Sequence, residues 1–237
     1  MTCFSFRSET KKVVTKTNKK GKKVNEKKNT KISKRDLEVA RFIAEQGPLR
    51  INTVGKYLEI KEIGVDARGL RRIIKKLEDV GLLRRRQILA GSSIVWGTKS
   101  GLRLAGVPVD SKNTLSEPSM ETIVHSTYVA EIRLVYEKNG AEWICERKLH
   151  EEFPNHLPDG LAIYNNQKII VEVDRTRKSH ERLVNIMRTN VFANSTGYIV
   201  DYWVPEELYK LVNSSKMLLP EVVRENIRVF IISGESQ

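Results

Sequence analysis

DARGLRRIIKKLEDV, residues 66–80, followed by GLLRRRQILAGSSIVWG, residues 81–97, is the stretch on which the reading of the fold turns. Leu70, Ile73, Ile74 and Leu77 recur at i, i+3, i+4 and i+7, the spacing that lines one face of an α-helix, while Arg68, Arg71, Arg72, Lys75 and Lys76 fall on the other side. After Gly81, the runs Leu82–Gln87 and Ile94–Gly97, separated by the turn residues Gly91, Ser92 and Ser93, predict a two-stranded hairpin. Upstream, Ser33–Gln46 has helical spacing at Val39, Phe42 and Ile43 and a stop signal at Gly47-Pro48. A second short helix is expected over Asn52–Leu58, with Ile51, Val54 and Leu58 inward. Three helices and a hairpin spell a winged helix-turn-helix over residues 33–106, closed by a short helix that ends at Gly106. In that reading the helix from Asp66 enters the major groove of duplex DNA, and Arg84, Arg85 and Arg86 on the wing strand reach backbone phosphates. A solvated basic surface, or a winged helix that binds protein, is the competing interpretation.

Charge is distributed unevenly, and the unevenness favours a polyanionic partner for one half only. The chain carries a formal +13; residues 1–34 hold 12 Lys and Arg against 2 acids, residues 35–110 hold 15 against 9, and residues 111–237 hold 15 against 18. Residues 1–32 are Lys-, Thr- and Asn-rich with few apolar side chains, too few to offset chain entropy, which predicts a disordered basic tail that tethers phosphates. Val107–Pro118, with its prolines, Ser, Asn and Lys, reads as a linker. Cys3 and Cys145 are too far apart to indicate a disulfide framework or a zinc cluster. No apolar run approaches the roughly 18 residues of a membrane span. A cytoplasmic, nucleoid-associated protein is expected, with no membrane partner.

Residues 119–237 need another use for their acids. A long helix is expected over Ser119–Lys138, strands over Glu142–Arg147, Pro158–Tyr164 and Lys168–Asp174, a helix over Ser179–Val191, a strand over Tyr198–Val204, a helix after Pro205 and a last strand over Ile227–Ile232. Helix, three strands, helix, strand is the core order of restriction-endonuclease-like nucleases, an α/β (α+β) class with a mixed sheet between helices. Such a core places two carboxylates on neighbouring strands to hold Mg²⁺, or Mn²⁺, beside a scissile phosphate. Asp159 and Glu172 flank the turn at Asn165-Asn166 and have the required placement.

Around these acids, His156-Leu157-Pro158-Asp159-Gly160, Ile170-Val171-Glu172-Val173-Asp174-Arg175-Thr176 and Lys178-Ser179 resemble the replication-relaxation proteins of plasmids and other mobile elements. His125–Val129, the Trp143–Arg147 strand with Glu146, and Thr98-Lys99-Ser100-Gly101 fit the same pattern, so the likeness covers roughly residues 34–205. The resemblance implies a PD-(D/E)xK nuclease-like domain over residues 119–237, an association with mobile DNA, and other replication or mobilisation proteins as partners. One position departs from the nuclease pattern. Asp174 stands where a lysine is expected, so Lys178 is the candidate for the missing cation, Arg175 and Arg177 are weaker ones, and Asp174 is either a third metal ligand or the mark of a dead site. Glu131 and Glu146 are further candidates for the acidic site, with ordinary surface acids as the alternative. His125, His156 and His180 are too dispersed for a zinc motif, and His156 has the best claim to a site role. Trp143, Tyr198, Tyr202 and Trp203 read as sheet core. The sequence therefore leads to a DNA-binding, metal-dependent endonuclease, a homodimer if it cuts both strands, with a non-catalytic replication or transcription accessory factor as the alternative.

Overall fold

In the computed structural model, α1 (Lys34–Gln46) starts where Ser33 makes a capping box with Asp36: the Asp36 N–H donates to Ser33 Oγ at 3.2 Å and the Ser33 N–H to Asp36 Oδ2 at 2.9 Å. Residues 31–89, 92–110, 117–193 and 197–232 are described; residues 1–30 of the expected tail, the hairpin tip at Gly91 and residues 111–116 of the expected linker lie outside them. After α1 come β1 (Leu49–Arg50), α2 (Ile51–Ile60), α3 (Ala67–Asp79), β2 (Leu83–Leu89), β3 (Ser92–Gly97) and α4 (Lys99–Ala105). The three strands form an antiparallel sheet in the order β1-β3-β2. Leu70, Ile73, Ile74 and Leu77 of α3 are buried against Val39, Phe42, Ile43, Leu49 and Leu58, as their spacing demands. Strand β1 was not foreseen, because two residues after a proline carry no periodic signal.

The second sheet follows α5 (Met120–Lys138). Its strands are β4 (Glu142–Cys145), β5 (Gly160–Tyr164), β6 (Gln167–Val173), β7 (Ile199–Val204) and β8 (Ile227–Ile231), in that spatial order. β4, β5 and β6 are antiparallel; β6, β7 and β8 are parallel. Asn165 and Asn166 take φ of 44° and 68°, the left-handed pair that a two-residue hairpin turn between β5 and β6 requires. Between the parallel strands run α6 (His180–Val191), α7 (Glu206–Met217) and the short α8 (Glu221–Arg224). Among the described residues the chain is thus mixed α/β, with eight α-helices and two sheets, and no helix is long and apolar enough to cross a membrane.

Several expected strand limits move by one or two residues, and three of these changes lie at the site ends of β4, β5 and β6. The strand expected to reach Arg147 ends at Cys145, because Glu146–Lys148 turn into a 3₁₀ helix toward α1. The strand expected from Pro158 starts at Gly160, and the one expected through Asp174 ends at Val173, although the Asp174 N–H still donates to the Trp203 carbonyl at 3.0 Å.

Residues Ile32–Gln237 form one compact unit, and α5 is the reason. Val129, Ile132 and Tyr136 cover Ile169, Val171 and Val173 of the large sheet, whereas Ala130 and Leu134 enter the core of α1 to α3. Ile123 packs on Ile94 and Trp96 of β3. A helix that meets apolar partners on several sides cannot show a single stripe. The other face of the large sheet is covered by Leu183, Met187 and Val191 of α6 and Leu208 and Val212 of α7.

Arg133 of α5 is only 6% exposed, yet it is charged. Its Nε donates to Glu137 Oε1 at 2.6 Å, its Nη1 to Glu45 Oε2 of α1 at 3.1 Å, and its guanidinium lies 4.9 Å from the centre of the Phe42 ring. Removing the cation leaves each carboxylate with one lysine, Lys61 at Glu137 and Lys148 at Glu45, and takes the guanidinium away from Phe42. Arg133→Ala should therefore cost about 2–3 kcal/mol in urea denaturation, the size of lost hydrogen bonds to charged groups, and a loss under 1 kcal/mol would show that the cluster contributes no net order.

Candidate functional site

The antiparallel register builds the site. Cys145 lies opposite Gly160, and Gly160 opposite Val171. Asp159, one residue before Gly160, and Glu172, one residue after Val171, therefore lie side by side at the ends of β5 and β6, and Glu146 follows Cys145 in the 3₁₀ turn beyond β4 to complete the row. Asp159 and Glu172 are thereby brought together as the sequence suggested, and Glu146 joins them from the turn after β4.

Each of the two inner acids is held on two sides. Asp159 Oδ2 accepts the backbone N–H of Val173 at 2.7 Å, and its Oδ1 lies 2.8 Å from His125 Nε2 on α5. A carboxylate can only accept, so that imidazole carries its proton on Nε2. Glu172 Oε1 accepts from Asn190 Nδ2 of α6 at 2.8 Å and lies 2.9 Å from His156 Nε2, in the loop before β5. Burial raises the Glu172 pKa, the His156 hydrogen bond opposes that rise, and the Asp159 charge adds to it. The hydrogen bond to Asp159 raises the His125 pKa, and the hydrogen bond to Glu172 raises that of His156. Glu146, at the exposed rim, is pushed up to about 7, first by the protein around it and then by the charge of Asp159, with His125 and Arg147 pulling the other way. The charge of Asp159 thus raises the pKa of both Glu146 and Glu172, which marks a local concentration of negative charge at these strand ends.

Asp174 and Lys178, the two residues in question at the expected lysine position, form an ion pair with each other. Burial lowers the Lys178 pKa, and the fields of Glu172 and Asp159 work against it, so its ammonium belongs to the same neighbourhood. Arg175 stacks 4.9 Å from the centre of the Tyr128 ring, and Arg177 is exposed. Glu131 lies outside the row and pairs with Lys56 of α2 at 3.1 Å. His180 Nδ1 is 2.8 Å from Ser215 Oγ of α7. Trp143, Tyr198 and Tyr202 are buried, and Trp203 is partly buried against the same sheet, as core residues.

The donor set around Glu146, Asp159 and Glu172 fits a hard divalent cation by chemistry, since oxygen ligands and surplus negative charge suit Mg²⁺ or Mn²⁺. Its arrangement is occupied by imidazoles instead. Among the described residues no three His, Cys, Asp or Glu side chains stand together as a group that could hold a metal ion, and Asp159 and Glu172 are each engaged by an imidazole.

The basic face divides into engaged and unengaged cations. Lys76 is half-buried and bonded to Asp36 at 2.6 Å, tying α3 to α1; Lys75 pairs with Asp79 at 2.7 Å. On β2, Arg85 lies 3.6 Å from Glu78, and Arg86 bonds Glu117 and the Pro118 carbonyl at the start of α5, while Arg84 is exposed. Arg68, Arg71 and Arg72 are exposed on α3 and have no ion-pair partner among the described residues. Pairing with Asp36 and Glu117, tens of residues away, left no local signal by which Lys76 and Arg86 could be told from their neighbours.

Comparison with protein-family models, with curated proteins and with solved structures gives no match for this chain.

The histidines and the inner glutamate of the site shift in one direction, and Lys178 in the other. His125 and His156 bind their protons more tightly in the folded chain because a carboxylate accepts them, and Glu172 does so because its charged form is poorly solvated. Native protein thus holds more protons than unfolded protein. The stabilisation is complete below the unfolded values, about 4.3 for Glu and 6.5 for His, and is lost as pH rises through the folded ones. Without added metal, the urea midpoint should fall between about pH 5 and 8, and replacing both histidines by Asn should flatten the upper part of that fall; a midpoint that climbs with pH contradicts the assignment.

Proposed function

We propose that this chain binds duplex DNA through a winged helix-turn-helix formed by α1 to α3 and the β2–β3 hairpin, and that the large sheet is a PD-(D/E)xK nuclease-like domain hydrolysing phosphodiesters with a divalent ion. The observation that carries the catalytic half is the row of Glu146, Asp159 and Glu172 across three strand ends, with Lys178 beside it. Antiparallel and then parallel pairing, flanked by α5 on one face and α6 and α7 on the other, is the layout this class of fold needs. In this reading Asp159 and Glu172, with Glu146 at the rim, hold Mg²⁺ or Mn²⁺. Once bound, such an ion supplies an activated water and neutralises charge on the phosphoryl oxygens. Lys178 holds positive charge where the incoming phosphate approaches, Asn190 fixes the Glu172 carboxylate, and the Val173 N–H fixes that of Asp159.

DNA binding rests on the exposed cations of α3, Arg68, Arg71 and Arg72, with Lys75 and Arg84 at their flanks. The residue likeness to replication-relaxation proteins points to a role in replication, relaxation or mobilisation of a mobile element, with a homodimer where both strands are cut. A second reading has an observation of its own: both inner acids are engaged by imidazoles and Lys178 is engaged by Asp174, which suits a DNA-binding accessory factor whose nuclease-like domain does not cleave.

Supercoiled and linear DNA incubated with Mg²⁺ or Mn²⁺ separates the two. Wild type should nick or cut and Asp159→Ala should not, while both retain duplex affinity; no cleavage under any of these conditions eliminates the enzyme. Arg71→Ala and Arg72→Ala should each weaken duplex binding across sequences and reduce the slope of log affinity against log salt by about 1. Equal affinity in the variants would remove α3 from the interface.

A further inference from the structure

The strand ladder places Asp159 and Glu172, but it does not place the other two members of the cluster. His125 comes from α5, and Glu146 from a turn that has already left β4. What fixes these two is found one residue along the chain from each. Arg147, next to Glu146, donates from Nη1 to the Ala44 carbonyl at 3.1 Å, one of the last carbonyls of α1 and therefore short of an intrahelical donor. Lys148 Nζ bonds Glu45 of the same turn at 2.6 Å. Gly47 closes α1 at φ 99°, and a Cβ there would stand 2.9 Å from Arg147 Nη2 and 3.4 Å from the Oγ of Ser126, the neighbour of His125. The end of α1 is thus set against the sequence neighbours of both residues; the positive φ requires glycine, and an added Cβ would push the Arg147 guanidinium aside.

We infer that the C-terminal turn of α1 is the template that sets His125 and Glu146 against Asp159, with Arg147 as its positioning residue. The inference rests on the reading of the acidic row as the functional site. Arg147 touches no substrate; it acts through Glu146, and α1 acts through Arg147 and Ser126. The site's geometry is consequently dictated by the half of the chain that carries the basic helix, so a disturbance at Gly47 reaches the acids without altering any residue of the row.

The test uses the full chain with ¹⁵N-labelled histidine. Gly47→Ala and Arg147→Ala should shift the His125 imidazole resonances and leave those of His180, held by Ser215, in place. Arg147→Lys, which keeps a donor for Ala44, should shift the His125 signals less. In parallel, the Mn²⁺ dissociation constant should rise roughly tenfold or more in the two alanine variants, the size usual when a group behind a metal ligand is lost, at unchanged duplex affinity. Folded variants with wild-type His125 resonances overturn the positioning role. If the alanine variants do not fold, Arg147→Met, which keeps the length of the side chain and removes the donor to Ala44, decides it: an unchanged His125 signal overturns the inference and a shifted one supports it. Wild type that binds no Mn²⁺ defeats the metal reading of the site, while the His125 resonances still decide the positioning.

Discussion

A guanidinium taken out of water must be surrounded by charge and hydrogen-bond acceptors, and Arg133 obtains these from two different parts of the chain. Glu137 sits one turn further along α5, but Glu45 belongs to α1, so the ion pair can be complete only when both halves are assembled. Lys61, which caps the end of α2, adds a bond to Glu137 at 2.7 Å, and Lys148 adds one to Glu45 at 2.6 Å. The same small region therefore joins α1, α2, α5 and the turn after β4. Phe42 and Tyr57, stacked with ring centres 4.0 Å apart, supply the apolar backing, and the guanidinium rests on Phe42. Hydrophobic burial alone would permit α5 to slide; directional bonds to a buried cation do not.

From that fixed α5 the acidic row acquires its fourth wall. His125 lies near the start of the helix, and its distance to Asp159 is set by how α5 crosses the sheet. Farther along, Tyr136 donates to Asp201 of β7 at 2.5 Å, and Arg228 of β8 makes two bonds to the same carboxylate at 2.6 and 2.8 Å. Both ends of α5 are consequently pinned by polar contacts, one beside the site and one at the far strands. Precise placement of reactive groups depends on such support, because a displacement of about 1 Å at a catalytic group is enough to cost orders of magnitude in rate.

Much of this was legible in the residues, and the exceptions have a common physical origin. The helix at 67–79, the hairpin, the Asn165-Asn166 turn and the alternation of strands and helices after Glu142 all carry local periodicity or turn chemistry, which sequence displays directly. So did the juxtaposition of Asp159 and Glu172, since a two-residue turn fixes register. Contacts between residues far apart in the chain left no such trace. The partners of Lys76 and Arg86, the imidazole on each inner acid, and the ion pair that occupies Asp174 and Lys178 depend on packing that no window of residues contains. Glu146 is the instructive case: it and Glu131 were equal candidates for the acidic site until the turn after β4 carried Glu146 beside Asp159, and its strand was drawn two residues too long because a 3₁₀ turn has no distinctive pattern.

The apolar sides of α5 have a consequence for how this chain can be divided. Val129 and Ile132 belong to one core and Ala130 and Leu134 to another, so a cut between residues 106 and 119 would leave the upstream piece with an open groove and the downstream piece with a greasy ridge. Neither fragment is a self-sufficient module. Recombination that exchanges one half for an unrelated sequence would have to bring a matching helix with it, so the two halves are inherited together.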